Sequence, residues 1–413
     1  MSITRLNFNP VAEGGDDATG AFAKLDANDA DLDTRVTAAG TSSGVADAKA
    51  VAAQATADTA TATANKAALA LSINATLRNQ IINGDFDVCQ GPRAFAPSAQ
   101  VVYTADQWVL NANGSTAGAS RQQFVGGAAG QPDNHGDNFQ RLNCTSVAGA
   151  SNYVIFRQPI VGIQQFSGRF VRASFWMRAD AAGKKLGVDF SCNTGSGGGA
   201  LANPAGQVVT STDTNWKKFS LVFQFPDQAG TTIGTNPYTI FRFTLDADPS
   251  VGTPAVGRQS FTSLDISQVQ VEIVASAAAP ETPFEKLPWM MVLDQCMYFW
   301  QKSFAYDVLP TNGLPGDRFS TSAYSAGNIE GHIPLLRPMY PGASVITPYS
   351  SNAGTPTAGQ WQGFVGGGFV NTSGLAITSP TEKQIQFTAT LSGIPQYAGV
   401  YLQGNWTISR RII

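Results

Sequence analysis

Apolar side chains recur along this chain with two different periods, and the change of period divides it. From Phe22 to Asn74 a three-four spacing runs unbroken through Phe22, Leu25, Asp29, Leu32 and Val36, then through Ala39, Ser43 and a series of alanines to Leu71 and Asn74. That is the a/d seam of a heptad repeat. One helix cannot bury such a seam, so the spacing predicts parallel helices supercoiled left-handedly around one another. At a rise of about 1.5 Å per residue the rod is up to about 80 Å long. Gly40 and Gly44 lower helix propensity and are the places where it would split in two. Buried alanines contribute little, about 0.8 kcal/mol per CH₂, so the rod is expected to depend on association elsewhere in the chain.

From Asn79 onward the period changes to two. Val171, Ala173, Phe175, Met177 and Ala179 alternate with Arg172, Ser174, Trp176 and Arg178, the pattern of a half-buried strand. Phe219, Leu221, Phe223 and Phe225 repeat it, as do Phe241, Phe243 and Leu245 after the Asn236-Pro237 turn signal. Leu264 and Ile266 lie in one phase whereas Val269, Val271 and Ile273 lie in the other, which predicts a β-bulge at Ser267-Gln268. No helical stretch is available for βαβ crossovers. The fold class is therefore mainly β: an antiparallel sandwich, with a jelly roll as the best match, following the N-terminal helical segment. A third part opens with Met290, Leu293, Met297 and Trp300 at helical spacing between Trp289 and Lys302, then returns to strands. Gln384–Leu391 alternates Ile385, Phe387, Ala389 and Leu391, and Val400–Ile408 alternates Val400, Leu402, Trp406 and Ile408, predicting a smaller sandwich or a β-prism.

Composition narrows the function classes. A length of 413 residues implies two or three domains. Charged residues are only 13 % of the chain, which suits β-sandwiches and uncharged interfaces. A net charge of -3, with no run of Lys and Arg, argues against nucleic-acid binding. Met1 to Gly15 has no apolar signal region and no stretch reaches membrane-span length, so synthesis in a cytoplasm and a soluble product are expected. Cys89, Cys144, Cys192 and Cys296 are widely separated and read as reduced, half-buried thiols.

Catalytic patterns are absent. His135 and His332 stand apart from any nucleophile-base motif, and there is no phosphate loop, Walker motif or HExxH. Paired carboxylates of a glycan hydrolase would have to be assembled by the fold, since Glu is scarce. No enzyme and no cofactor are expected. One ionic possibility is local: Asp87, just after Asn83-Gly84-Asp85-Phe86, and Asp265, on the last strand of the sandwich, would hold a structural Ca²⁺ if those ends meet. The alternative is that Asn83-Gly84 is a turn and Phe86 a core anchor.

Taken in order, several short stretches resemble bacteriophage tail-fibre and related virion fibre proteins that contain a carbohydrate-binding-like jelly-roll module. They are Asn79-Gln80-Ile81-Ile82-Asn83-Gly84-Asp85-Phe86, Tyr103-Thr104-Ala105-Asp106-Gln107-Trp108, Ala173-Ser174-Phe175-Trp176-Met177-Arg178-Ala179 and Thr214-Asn215-Trp216-Lys217-Lys218-Phe219-Ser220. Val269-Gln270-Val271-Glu272, Thr282-Pro283-Phe284-Glu285-Lys286 and Asp294-Gln295-Cys296-Met297-Tyr298-Phe299-Trp300-Gln301-Lys302-Ser303, the last similar to the Cys-containing helix that ends this module, complete the series. Separately, Gly15 to Asn28 is similar to the short attachment segment of many phage fibres. The sequence departs from the family's usual run at Asp87-Val88-Cys89-Gln90-Gly91-Pro92. The resemblance implies a homotrimer, an N-terminal segment that binds another virion protein, and a host-surface glycan or receptor as the external partner, with the protein located in the virion.

The expected organisation is an attachment segment at 1–21, a coiled-coil stalk at 22–78, a jelly roll at 79–288 and a C-terminal β domain at 289–413 led by a short helix. With the N-terminus as anchor, residues 304–413 lie farthest from the particle. Tyr324, Tyr349 and Trp361, in turn-like contexts there, are the candidate glycan contacts, because aromatic faces stack on the apolar faces of sugar rings. A capsid-attached head fibre or decoration protein is the alternative to a tail fibre, and a glycan depolymerase is a third possibility.

Overall fold

The structure, a computed structural model, describes residues 18–75, 77–133, 135–251, 254–354 and 356–412, and within the N-terminal helix the side chains of residue 20 and residues 23–58. Most of the expected attachment segment, residues 1–17, lies outside the described residues. So do the seam side chains Phe22, Ala60, Ala64, Ala67, Leu71 and Asn74. The chain divides into two units, Met1–Leu69 and Ala70–Ile413.

Helix α1 (Ala18–Ala75) is continuous over 58 residues. It passes through Gly40 and Gly44 without a break, and a Cβ at either would meet nothing within 4 Å. The glycines thus lower propensity without being required by any close approach. Along the helix Leu25, Leu32 and Val36 are 49, 54 and 63 % exposed, so these three seam positions are bare in a single chain.

The second unit begins with strands β1 (Ala94–Ser98), β2 (Val101–Tyr103), β3 (Val109–Asn113), β4 (Thr116–Gln123), β5 (Asn138–Thr145) and β6 (Tyr153–Val161). It continues with β7 (Phe170–Ala179), β8 (Lys185–Asn193), β9 (Gln207–Thr210), β10 (Lys217–Gln224), β11 (Tyr238–Ala247) and β12 (Phe261–Val274). They form two antiparallel six-stranded sheets, β1-β4-β5-β12-β7-β10 and β2-β3-β6-β11-β8-β9. From β5 onward the chain steps between the sheets in the order of a jelly roll. The period-two apolar residues face one another across the interior: Val171, Ala173, Phe175 and Met177 from one sheet meet Phe190, Phe241, Phe243 and Leu245 from the other.

The bulge lies where it is predicted. The register of β12 on β7 shifts between Ser267 and Gln270, and Gln268 has φ 50°. Its cause is a second segment seated on it. The Gly84 carbonyl accepts from Val269 N at 2.8 Å, and a Cβ on Gly84 would collide with the Val269 carbonyl. Asn79 flanks the same point, donating to Val269 O at 3.1 Å and accepting from Val271 N at 3.0 Å. Asn83 then turns the chain with φ 58°, and Phe86 enters the core 5.2 Å from Trp108, whose indole donates to Asn83 O at 3.0 Å. Asn83-Gly84 is a turn and Phe86 a core anchor.

Helix α2 (Trp289–Met297) follows, then β13 (Trp300–Lys302), β14 (Asp317–Ser325), β15 (Asn328–Pro334), β16 (Val345–Tyr349) and β17 (Gln362–Val365). The series ends with β18 (Gly368–Asn371), β19 (Ser373–Thr381), β20 (Gln384–Thr390) and β21 (Gly399–Ser409). The helix is shorter than its spacing predicts. Trp300 leaves it because residues 300–302 pair with Thr407–Ser409 of β21, and the buried side chains of α2 are Val292 and Cys296, while Met290 is 65 % exposed. In place of the expected smaller sandwich or β-prism, these strands join in one nine-stranded sheet. The long β21 makes it continuous, its first half pairing with β14 and β17 and its second with β13 and β16.

The two β bodies are joined by buried polar contacts. Lys302 Nζ donates to the carbonyls of Gln90, Tyr306 and Val308 at 2.7–2.8 Å, and burial lowers the pKa of this ammonium. The Arg411 guanidinium lies 4.0 Å from the Tyr103 ring and 5.0 Å from that of Trp300. All four cysteines are unpaired, and burial pushes Cys144 up to about 12 and Cys192 to about 11.

Candidate functional site

The predicted site residues separate into distinct environments. Asp87 Oδ1 accepts from the backbone N–H groups of Asp137 and Asn138 and from Asn138 Nδ2 at 2.9–3.1 Å, and Lys286 Nζ lies 3.7 Å from Oδ2. Asp265 is 1 % exposed and accepts from Arg141 Nε and Nη2 at 2.8 and 2.9 Å and from Arg178 Nε at 2.7 Å. The two carboxylates share no hydrogen-bond partner, and the structure does not join them in one ion site. Among the described residues no group of three His, Cys, Asp or Glu side chains is placed to hold a metal.

Of the three aromatic candidates the structure leaves Tyr324 exposed, at 48 %, and withdraws the other two to different degrees. Trp361 is fully buried: it lies over Gly404, where a Cβ would strike the indole, and donates from Nε1 to Asn405 O at 3.1 Å. The absence of a side chain at Gly404 is what admits it, so Trp361 is a core residue and no sugar contact. Tyr349 is half-buried on β16 with its ring 5.3 Å from Phe304.

A different set of rings faces outward on the same domain. In β14, Phe319 and Ala323 turn inward while Arg318, Ser320, Ser322 and Tyr324 turn out, by the strand period. In β21, Val400 and Leu402 are buried, which puts Tyr401 on the outer face directly opposite Ser320. Strands β17 and β18 form a hairpin whose turn is Gly366-Gly367, with φ 58° and 94°, the positive values that a tight two-residue turn demands. That turn sets Phe364 opposite Phe369 with ring centroids 5.4 Å apart, and pairing of Gly363 with Leu402 brings the hairpin beside Tyr401.

Tyr401, Phe364 and Phe369 are 61, 43 and 38 % exposed and, with Arg318 and Ser320, line a cleft of about 410 Å³. The Arg318 guanidinium sits 5.4 Å over the Phe369 ring. Adjacent rings on a hydrogen-bonded sheet form a rigid apolar surface, and Arg318, Ser320 and the Tyr401 hydroxyl border it with directional donors. The signals for these residues were present in the sequence: Phe364 and Phe369 flank Gly366-Gly367-Gly368, and Tyr401 falls in the polar phase of an otherwise apolar alternation.

No family model matches the chain, and no curated protein matches it. Solved structures do. The enzymatically active domain of tailspike protein 4 of bacteriophage CBA120 aligns over 48 % of this chain and 22 % of its own, at 14 % identity and a TM-score of 0.28. The chain therefore spans about a fifth of that protein's length. The family 11 carbohydrate-binding module from Clostridium thermocellum, in complex with a mixed-linked tetrasaccharide, aligns over 44 % of this chain and 94 % of its own, at 11 % identity and a TM-score of 0.26. A cyclase from Fischerella sp. TAU aligns over 48 % and 96 %, at 9 % identity and a TM-score of 0.31.

Proposed function

We propose that this chain is a non-enzymatic virion fibre protein, a phage tail fibre, that binds a glycan of the host surface through the Tyr401–Phe364–Phe369 face of its C-terminal domain. The observation that carries the binding role is the row of exposed rings held side by side on strands rather than on loops. Aromatic rings in water on a rigid sheet lose little conformational freedom when a sugar ring stacks on them. Sequence resemblance supports the fibre role, and α1 supports the stalk. A helix of 58 residues with Leu25, Leu32 and Val36 exposed gains stability when further copies cover those positions, and a homotrimer is the assembly the resemblance implies.

Full-length protein should bind host cells and compete with phage adsorption, and Tyr401→Ala or Phe364→Ala should abolish the competition while leaving the thermal melt in place. Unchanged competition by both variants would remove the site. Reducing ends should not accumulate when the protein is incubated with host polysaccharide; sustained release would make it a depolymerase.

A further inference from the structure

The outer face of the jelly roll carries a second cleft, of about 320 Å³, walled by Phe124, Val125 and Gln131 on one side and by Thr214 and Asn215 on the other. Its floor is a cross-strand row. Asp265 stands opposite Arg141 on one neighbouring strand and opposite Arg178 on the other. Trp216 lies at the head of β10, 5.0 Å beneath the Arg178 guanidinium, and Phe139 is 5.4 Å from the same group.

The charge on this floor does not cancel. One nearly inaccessible carboxylate faces two guanidinium groups, whose side chains remain 35 and 34 % exposed, and Arg141 and Arg178 are the charged side chains that line the cleft. Arg178 spends Nε on Asp265, and among the described residues neither of its terminal nitrogens donates to a protein group. Gln131 adds an acceptor in need: its amide nitrogen donates to Val125 O, while Oε1 is buried with no partner. A guanidinium stacked on indole and fixed along one edge by a carboxylate presents its other edge as a planar fork, which matches a carboxylate better than a spherical ion.

The geometry points to a binding site for a carboxylate-bearing sugar, of the uronic or sialic acid class, whose acid group takes the free edge of Arg178 and whose hydroxyls reach Gln131. This site is separate from the Tyr401 row and does not depend on it.

Calorimetry on the full chain at low salt, with tetragalacturonate and sialyllactose each run beside its methyl ester, tests the assignment. The ester keeps the ring and removes the charge. At least one acid should bind at least 10-fold tighter than its ester, and that preference should fall as salt is added. Arg178→Gln leaves Asp265 paired with Arg141 and should weaken acid binding by about 10- to 100-fold, the loss of a charged hydrogen bond. Gln131→Ala, which disturbs no ion pair, should weaken it by about 2- to 10-fold. Equal affinity for acid and ester, no binding of either acid, or an unchanged preference in both variants would overturn the site. Binding of inorganic phosphate with no binding of the acids would reassign the cleft as a simple anion site. Tyr401→Ala should leave these affinities unaltered, so failure here and failure of the C-terminal glycan site are separable.

Discussion

Asp85 offers a stability test whose sign is fixed by its surroundings. It is 4 % exposed in the turn that carries Phe86 into the core, and its carboxyl is pushed up to about 7, first by burial and then by the charge of Asp87, with Lys286 acting in opposition. A folded-state value above the unfolded 3.8 means that the native chain holds the proton more tightly. This contribution to stability is therefore complete below about pH 4, is lost as pH rises to about 7, and is constant beyond. At about 1.4 kcal/mol per tenfold change in ionisation, the upper bound on the loss is ~4 kcal/mol, and relaxation around the ion should reduce it to about 2. Asp85→Asn keeps the shape and removes the titration. Urea midpoints of parent and variant should coincide near pH 4 and diverge with rising pH, with the variant the more stable above pH 7. A difference that does not vary with pH, or a variant less stable at pH 8, would refute the burial argument.

Other substitutions probe the remaining features. Gly84→Ala should cost about 3 kcal/mol or more in urea unfolding, because the new Cβ meets the Val269 carbonyl at the bulge. Lys302→Met strands the Gln90 carbonyl of the jelly roll and the nearby Tyr306 and Val308 carbonyls, and should cost about 2 kcal/mol, seen as a lower melting temperature. Leu25→Asp with Leu32→Asp places charges on exposed apolar positions of α1; if the proposed homotrimer forms through this helix, light scattering should show the mass falling from that of three chains towards that of one. Retention of full mass would assign assembly to the β bodies.

The period-two alternation carried the sandwich strands and the change of phase in β12, because burial on one face leaves its mark at every second residue. The bulge could be placed, but not its cause: the docking of Gly84 and Asn79 against Val269 joins segments about 190 residues apart. Distance in sequence also hid the fate of Asp265, whose two arginines come from different strands, and of Trp361, whose burial depends on Gly404. The helical spacing from Met290 to Trp300 holds only as far as Met297, since pairing with β21 draws Trp300 into a strand. Tyr324, singled out by the composition of its neighbourhood, is exposed but is not among the residues lining the cleft, whereas Phe364 and Phe369, which line it, needed the Gly366-Gly367 turn to be read as a hairpin.

The position of β21 has a consequence for how the protein is made. This strand is the partner of β13, β14, β16 and β17, yet it follows all of them in the chain. As the polypeptide leaves the ribosome, β14, β15, β20 and β19 can pair in advance, but β13 and β16 have only β21 to bond with and wait with bare edges. A nascent chain that stalls before residue 399 carries the completed jelly roll and an unfinished, adhesive second body. Quality control on the nascent chain would thus act on the C-terminal body as a whole, with translation through β21 as the step that closes its bare edges.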